Sequence, residues 1–238
     1  MQFLGLSIDV KTFFNKIVVE RERKPRWVIA YLIYLYGQAL SLQQVADTLL
    51  LHGVKFHRRG VHYWVQKTGK TLDGILWESN GGMPNTIVVD ETKVKVGSKE
   101  EYLYAAICPE TKRIIHAAFY QTRNTLTTMC FFKQMIRHYG RIPTLVIIDG
   151  GPWYPRALNS LGIEYQVVSG KKRNYIERWY KTYKRRIKAF DRYFPHKKDR
   201  KHLKHWLNMF VFFYNRIRKH RSLGAKPPLQ FYKEVTLN

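Results

Sequence analysis

Cysteine is almost absent from this 238-residue sequence. Only Cys108 and Cys130 are present, far apart and outside any C-x-x-C pair, which excludes a disulfide framework and a zinc finger. Long apolar runs are also missing. The longest, Trp27 to Tyr36, falls well short of the roughly 20 residues that a membrane-spanning helix needs, and Asp9 interrupts the apolar run at the N-terminus, which argues against a secretory signal. These absences predict a protein of the reducing cytoplasm with no membrane association.

Acidic residues are scarce as well. Seventeen Asp and Glu stand against 42 Lys and Arg, which gives a net charge of +25. Such a chain repels itself in isolation and is favoured beside a polyanion, so nucleic acid is the leading partner. The 45% hydrophobic and 15% aromatic content is enough for a packed core and excludes a disordered chain.

The sequence divides at residues 81–84, Gly-Gly-Met-Pro, because paired glycines and a proline break both helix and strand. Residues 25–80 carry helical patterns, and residues 1–24 form an N-terminal arm that ends in a charge run. Residues 85–238 alternate strand and helix patterns and include a C-terminal helix and tail. We therefore predict an arm, a small all-α domain and a larger α/β domain.

Three helices are predicted in the all-α domain, over residues 25–37, 41–53 and 57–67; the second opens with an S-x-x-Q capping box at Ser41. Three short helices with a basic third face are typical of a helix-turn-helix DNA-binding module. An ordinary three-helix packing unit with a solvated charged face has the same pattern. The outer face of the third helix, our candidate DNA contact, comprises Arg58, Arg59, His62, Tyr63, Gln66 and Lys67.

The α/β domain opens with a predicted three-stranded meander at residues 86–96, 102–108 and 113–120. A helix over residues 124–140 and a buried strand over 145–148 follow, and this order implies a parallel crossover. The remaining elements are a short helix at 153–161, a short strand near 165–168, a long basic helix at 174–190 and a last helix at 199–219. The fold class predicted here is α/β with a mixed sheet.

Two aspartates interrupt apolar strands in this domain: Asp90 lies within the first strand and Asp149 ends the fourth. An ionised carboxylate is costly there unless a cation or hydrogen bonds compensate. Each could be a strand-end cap or a turn former. Two neighbouring carboxylates at the centre of a sheet, however, are a donor set that a divalent metal holds ionised, and oxygen donors suit Mg²⁺ or Mn²⁺.

Glu177 is the best candidate for a third carboxylate, because it is the lone acid in a run of cations, Lys-Lys-Arg-Asn-Tyr-Ile-Glu-Arg. Lys181, Lys184 and Arg185 follow on the same helix face and would neutralise phosphates. The alternative is an exposed Glu177–Lys181 ion pair, which contributes only about 0.3–0.5 kcal/mol. The rivals for the third position are Glu91, which points to the opposite strand face from Asp90, and Glu164.

Three blocks of the sequence together resemble a known family. Ile-Val-Val-Asp90-Glu-Thr, Ile-Ile-Asp149-Gly and Asn174-x-x-Glu177 followed by Lys184 are similar to the D, D and E blocks of insertion-sequence transposases. The nearest resemblance is to the short single-frame enzymes of insertion-sequence family six, including archaeal members. The segment from residue 27 to 67, Phe-Tyr-Asn at 213–215 and His-Arg-Ser-Leu at 220–223 also look like that group.

The resemblance implies a ribonuclease-H-like catalytic core and an N-terminal module that binds the inverted repeats of the element. It implies an enzyme that holds two metal ions with Asp90, Asp149 and Glu177, cuts the DNA ends and transfers them into target DNA. Double-stranded DNA and a second copy of the chain, as a homodimer or a larger oligomer, are the expected partners. We expect no small-molecule cofactor and a cytoplasmic, nucleoid-associated protein. A catalytically silent DNA-binding regulator and a ribonuclease-H-like nuclease without strand transfer remain alternatives.

Overall fold

The computed structural model describes residues 24–96, 99–168, 174–188 and 200–237. The predicted arm, residues 1–24, lies outside these ranges except for its last residue. Residues 97–98 of the predicted first hairpin turn also lie outside them. No helix of the described ranges is long and apolar enough to cross a membrane.

The N-terminal domain has the three predicted helices, α1 (Arg26–Gly37), α2 (Leu42–Leu51) and α3 (Arg58–Ile75). The capping box is formed: the Ser41 side chain accepts from the Gln44 backbone N–H, and the Gln44 side chain accepts from the Ser41 N–H. Helix α3 continues eight residues beyond its predicted end, because this extension packs against a C-terminal helix. At Gly69 the approach is so close that a Cβ atom would lie 2.3 Å from the His205 carbonyl oxygen.

The α/β domain is built on a five-stranded mixed sheet of order β3-β2-β1-β4-β5. Strand β1 pairs antiparallel with β2 and parallel with β4, β2 pairs antiparallel with β3, and β4 pairs parallel with β5. The strands are β1 (Thr86–Val96), β2 (Lys99–Ile107), β3 (Ile114–Tyr120), β4 (Leu145–Ile148) and β5 (Tyr165–Val167). The predicted meander and parallel crossover are both confirmed.

Five helices complete the described chain: α4 (Thr125–Tyr139), α5 (Trp153–Ser160), α6 (Asn174–Lys188), α7 (Arg200–Arg216) and α8 (Pro228–Leu237). Asn124 caps α4 as predicted, and Gly140 ends it with a positive φ of 68°. Helix α8 was not predicted, although proline at its first position is a common helix-start signal. Short 3-10 turns lie at Glu78–Asn80 and Arg221–Leu223.

Helices cover both faces of the sheet. On one face, Ile87 and Val89 pack with Phe131 of α4 and Tyr154 of α5. On the other face, buried side chains of β1 and β2 join those of α6 and α7, and this cluster continues without a break into α1, α2 and α3. The proposed division at residues 81–84 therefore separates two segments that share a hydrophobic core.

Arg186, a buried residue of helix α6, links this helix to the N-terminal domain. The Arg186 guanidinium donates to the carbonyl oxygens of Tyr36 (3.1 Å) and Leu40 (3.4 Å) and lies over the Tyr36 ring. These carbonyls are at and just beyond the C-terminus of α1, where the helix dipole favours a positive charge. The contact joins the two predicted domains at the helix that carries Glu177.

Asn215, in the Phe-Tyr-Asn block of α7, forms hydrogen bonds with the linker between the two domains and with β3. Its side chain is fully buried; it accepts from the Ile114 N–H (2.9 Å) and donates to the Asn80 side chain (3.0 Å). Because Asn215→Ala leaves buried polar groups without these partners, we expect the free energy of unfolding to fall by about 2–4 kcal/mol. Urea unfolding measures this, with Asn159→Ala on the exposed side of α5 as the control. Equal losses in the two variants would contradict this role for Asn215.

His116 of β3 gives the fold a pH-dependent contribution to stability. Its ring is buried beside Trp77 and Phe131, both 5.0 Å away between ring centroids. Burial, reinforced by neighbouring His138, lowers the pKa of His116 from 6.5 to about 3. Between these values the unfolded chain binds a proton that the folded protein does not, so the stabilisation present above pH 6.5 is lost as the pH falls.

The His116→Leu variant should lose this dependence. Between pH 7 and pH 4.5, the wild-type free energy of unfolding should fall by about 2–3 kcal/mol more than that of the variant. Urea titrations at both pH values measure the difference, and the exposed His57→Gln variant should behave as the wild type does. If His116→Leu is as acid-sensitive as the wild type, this assignment is wrong.

Candidate active site

Asp90 lies on β1 with its side chain on the α6 face of the sheet. It is 7% exposed, and its Oδ1 atom accepts from the Glu91 N–H at 2.9 Å. Its main-chain carbonyl oxygen accepts a hydrogen bond from the hydroxyl of Tyr180 on α6. Strand β1 thus presents a nearly buried carboxylate beside the helix that carries Glu177.

Asp149 directly follows β4, the parallel neighbour of β1. The register pairs Ile87 with Val146 and Val88 with Ile147, so continuing it by two residues sets Asp149 level with Asp90. The Asp149 Oδ1 atom accepts from the Gly151 N–H at 3.0 Å. A Cβ atom at Gly151 would lie 3.0 Å from this oxygen and 2.7 Å from the Trp153 ring, so a larger residue there would displace the Trp153 side chain.

Glu177 lies in the first turn of α6 and is exposed. It shares with Asp90 an open cleft of about 790 Å³, formed between residues 90–92 in the middle of β1 and helix α6. The predicted phosphate contacts, Lys181, Lys184 and Arg185, line the same cleft and are exposed. One carboxylate of the sheet therefore faces a helix that presents a glutamate and several cations.

The three predicted carboxylates are oxygen donors of the kind that Mg²⁺ and Mn²⁺ prefer. The chemistry of this donor set therefore fits a divalent metal. In the described part of the chain, no three Asp, Glu, His or Cys side chains lie close enough together to hold a metal ion. Within the described residues the structure thus shows Asp90 on β1, Asp149 one residue after the neighbouring strand β4, and Glu177 across the cleft from Asp90, rather than a closed metal centre.

Glu91, a rival for the third position, points to the other face of β1 as expected. Its carboxylate accepts from the Tyr154 hydroxyl and pairs with Arg123 at 3.2 Å, and its side chain is 2% exposed. Burial raises the pKa of the Glu91 carboxyl; the bond from Tyr154 opposes this rise and the charge of Asp149 adds to it. Glu91 also lines the cleft that Glu177 lines, but its carboxylate is engaged with Tyr154 and Arg123.

The second rival, Glu164, is exposed just before β5. Its carbonyl oxygen accepts from the Val146 N–H at 2.9 Å, which ties its backbone to β4. Strand β5 is two positions from β1 in the sheet. Glu177, which shares a cleft with Asp90, is therefore the better placed of the two.

The predicted DNA-contact face of α3 is not uniformly open. Arg58, Arg59 and Tyr63 are exposed. Gln66 is partly buried and bonds to His205 of α7 at 3.2 Å, and the His62 ring meets His202 of α7 edge-on at 6.0 Å. Helix α7 thus covers part of this face at Gln66, while His62 stays exposed.

Neighbouring side chains also affect His62 and Lys67 of that face. Burial, with His202 and Arg58 nearby, lowers the pKa of His62. The Lys67 ammonium lies 4.7 Å from the centroid of the Trp64 ring, so its stem follows the aromatic surface of α3. DNA contact by the face as a whole stays a prediction.

Sequence reasoning missed three residues around the carboxylates. Tyr180 bonds to the backbone of Asp90, and Tyr154 and Arg123 bond to Glu91. The three-residue spacing from Glu177 to Tyr180 could have indicated a shared helix face. Tyr154 and Arg123 reach Glu91 across the fold, and no local pattern signals such contacts.

Residues 85–220 match the family model described as a DDE domain. The chain is 34% identical over 214 residues to an uncharacterized protein of Methanocaldococcus jannaschii, covering 89% of this chain and 97% of that protein. It is 29% identical over 119 residues to the Staphylococcus aureus transposase for insertion sequence element IS257 in transposon Tn4003, covering 50% of this chain and 52% of that transposase. The chain thus spans about half the length of this second relative.

One solved structure supports the fold. A chain of the simian T-cell lymphotropic virus intasome, determined by cryo-electron microscopy in complex with PP2A regulatory subunit B56 gamma, superposes with a TM-score of 0.53 at 18% identity. The match covers 64% of this chain and 55% of that one. It confirms the predicted mixed-sheet, ribonuclease-H-like class, while the helix-turn-helix assignment of residues 25–80 stays a prediction.

Proposed function

The chain belongs to the DDE transposase family of insertion sequences, and we propose on that basis that it cuts the ends of an insertion sequence and joins them to target DNA. One observation carries the proposal beyond the family. Asp149 directly follows β4 and falls level with Asp90 when the parallel register of β1 and β4 is continued by two residues. Asp90 shares with Glu177 a cleft that Lys181, Lys184 and Arg185 also line. Acidic donors next to phosphate-binding cations are what phosphodiester transfer requires.

In this proposal Asp90, Asp149 and Glu177 hold two divalent metal ions, Mg²⁺ or Mn²⁺. Bound there, the metals would activate the attacking oxygen and stabilise charge on the leaving oxygen. The burial of Asp90 contributes by excluding water from one side of the carboxylate, which strengthens its attraction for a cation. The hydrogen bond from Gly151 to Asp149 fixes the direction in which the second carboxylate points.

The cations of α6 bind and orient the DNA. Lys181 and Arg185 follow Glu177 at four and eight residues along the same helix face, so they would contact phosphates on either side of the reacting one. The exposed Arg58, Arg59 and Tyr63 of α3, with their neighbours His62, Gln66 and Lys67, would contact the inverted repeats. Phosphate contacts of this kind set the position of the duplex, and base contacts set its sequence.

Because transposition pairs two DNA ends, we propose that at least two copies of the chain act together. The substrates are duplex DNA at the element ends and at the target, in the cytoplasm and at the nucleoid. The presence of all three acids, Asp90, Asp149 and Glu177, favours this enzyme over a catalytically silent regulator. A nuclease without strand transfer would use the same carboxylates and differs only in the fate of the freed 3′-hydroxyl.

A strand-transfer assay separates these functions. A labelled duplex carrying the terminal repeat, taken from the DNA that flanks the gene, is incubated with supercoiled plasmid in Mg²⁺, in Mn²⁺ or in EDTA. Joined products that require the metal are the expected result. Cleavage without joining would identify the nuclease, and retarded but intact duplex in all conditions would identify the regulator.

A further inference from the structure

Tyr180 connects the helix that carries Glu177 to the backbone of the strand that carries Asp90. It is 6% exposed, and its hydroxyl donates to the carbonyl oxygen of Asp90 and lies 3.2 Å from that of Leu103 on β2. We infer that Tyr180 is a positioning residue, which sets α6 against the sheet so that Glu177 meets Asp90 across the cleft. The inference rests on the proposed function, because it assumes that both carboxylates serve the reaction.

Helix geometry transmits the position of Tyr180 to Glu177. The two residues are three apart in α6 and therefore lie on neighbouring parts of one face. Tyr180 points inward to the sheet, whereas Glu177 is exposed at the mouth, and both line the cleft. Glu177 is less than one helical turn from Tyr180. A contact that holds α6 against the sheet at Tyr180 therefore also holds Glu177 in its position relative to β1.

The bond to Asp90 is made at the main-chain carbonyl oxygen rather than at the carboxylate. Most buried tyrosine hydroxyls have a hydrogen-bond partner, and the partners of the Tyr180 hydroxyl belong to the two strands directly under the helix. Without the hydroxyl, α6 keeps its apolar packing but loses its directional contact with β1. A displacement of about 1 Å in a catalytic group can lower a rate on the order of 10²-fold.

Tyr183, one turn later in the same helix, provides a matched control. It is fully buried, it stacks on Trp179, and its hydroxyl has no hydrogen-bond partner within the described residues. Tyr183→Phe therefore removes the same atom from the same helix without removing a bond to the sheet. The two substitutions differ in the contact at issue and are alike in size and chemistry.

The first measurement is the rate of strand transfer with Tyr180→Phe and Tyr183→Phe. We expect the first variant to join DNA roughly 10- to 100-fold more slowly than the wild type and the second to match the wild type within about twofold. Urea unfolding of both variants shows whether the fold is retained. Equal rates for the two variants, with the fold retained, would overturn the inference.

The second measurement distinguishes positioning from general destabilisation. Mn²⁺ affinity, followed by electron paramagnetic resonance of the free ion, is compared in the wild type, Tyr180→Phe, Glu177→Gln and the double variant. If Tyr180 acts through Glu177, Tyr180→Phe weakens Mn²⁺ binding in the wild-type background and has no further effect in the Glu177→Gln background. Additive losses would overturn the inference. If the wild type neither joins DNA nor binds Mn²⁺, the proposed function itself fails.

Discussion

Replacing Asp90 or Asp149 with asparagine should reduce DNA joining by at least about 10²–10³-fold, the scale expected when one charge-stabilising group is removed from an active site. Asparagine keeps the shape of the side chain and removes the negative charge that a divalent cation requires. Because Asp90 is 7% exposed, its neutral replacement should fold at least as stably as the wild type. Loss of joining can therefore be assigned to chemistry rather than to unfolding.

Single-turnover joining of a pre-cut labelled end measures this effect, with duplex binding measured in parallel by gel retardation. Binding should be retained, since each substitution removes a negative charge from a cationic surface. Asp47→Asn, on the exposed side of α2, is the control and should join at the wild-type rate. A fully active Asp90→Asn or Asp149→Asn would exclude a carboxylate-held metal at this site.

The third carboxylate is tested by a matched pair, Glu177→Gln and Glu164→Gln. Both glutamates are exposed, but Glu177 lines the cleft with Asp90 and Glu164 precedes the strand at the sheet edge. We expect joining to be lost in the first variant and retained in the second. The reverse result would assign the third ligand to Glu164.

Local patterns in the sequence were sufficient to predict the strands and helices that carry the candidate site. The Val and Ile residues around Asp90 and the four apolar residues before Asp149 predicted two strands, and the helix between them predicted that these strands are parallel. The capping residues Ser41 and Asn124 predicted two helix starts that the structure confirms. Each of these signals lies within a few residues of the feature that it specifies.

Contacts between residues that are far apart in the sequence could not be predicted from these local patterns. The hydroxyl of Tyr180 meets Asp90 across 90 positions of sequence, and the Tyr154 hydroxyl meets Glu91 across 63. The bond between Gln66 and His205 spans 139 positions, so the periodicity of α3 alone did not show that α7 covers part of its polar face. Periodicity shows which face of an element is apolar, but it does not show which polar side chains a second element covers.

The cationic surface should make the affinity for DNA strongly dependent on salt concentration. If the chain neutralises six to ten phosphates, its affinity for duplex DNA should fall about 10³–10⁵-fold between 50 and 200 mM salt, because each contact releases condensed counterions. The net charge of +25 alone would also attract DNA, so the total salt dependence does not identify the surface involved. Variants of equal charge at different places are needed to locate it.

Neutralising the cleft cations together, as Lys181→Gln, Lys184→Gln and Arg185→Gln, should therefore reduce the slope of log K against log salt by about 0.9 per lost phosphate contact. The control removes three exposed cations from the opposite face of the sheet, as Lys133→Gln, Arg137→Gln and Arg156→Gln. Fluorescence anisotropy of a labelled duplex at several salt concentrations measures both slopes. A shallower slope in the cleft variant alone places the phosphates along α6, next to Glu177. Equal slopes in the two variants would mean that overall charge, rather than the cleft, holds the DNA, and the assignment of these three residues would be wrong.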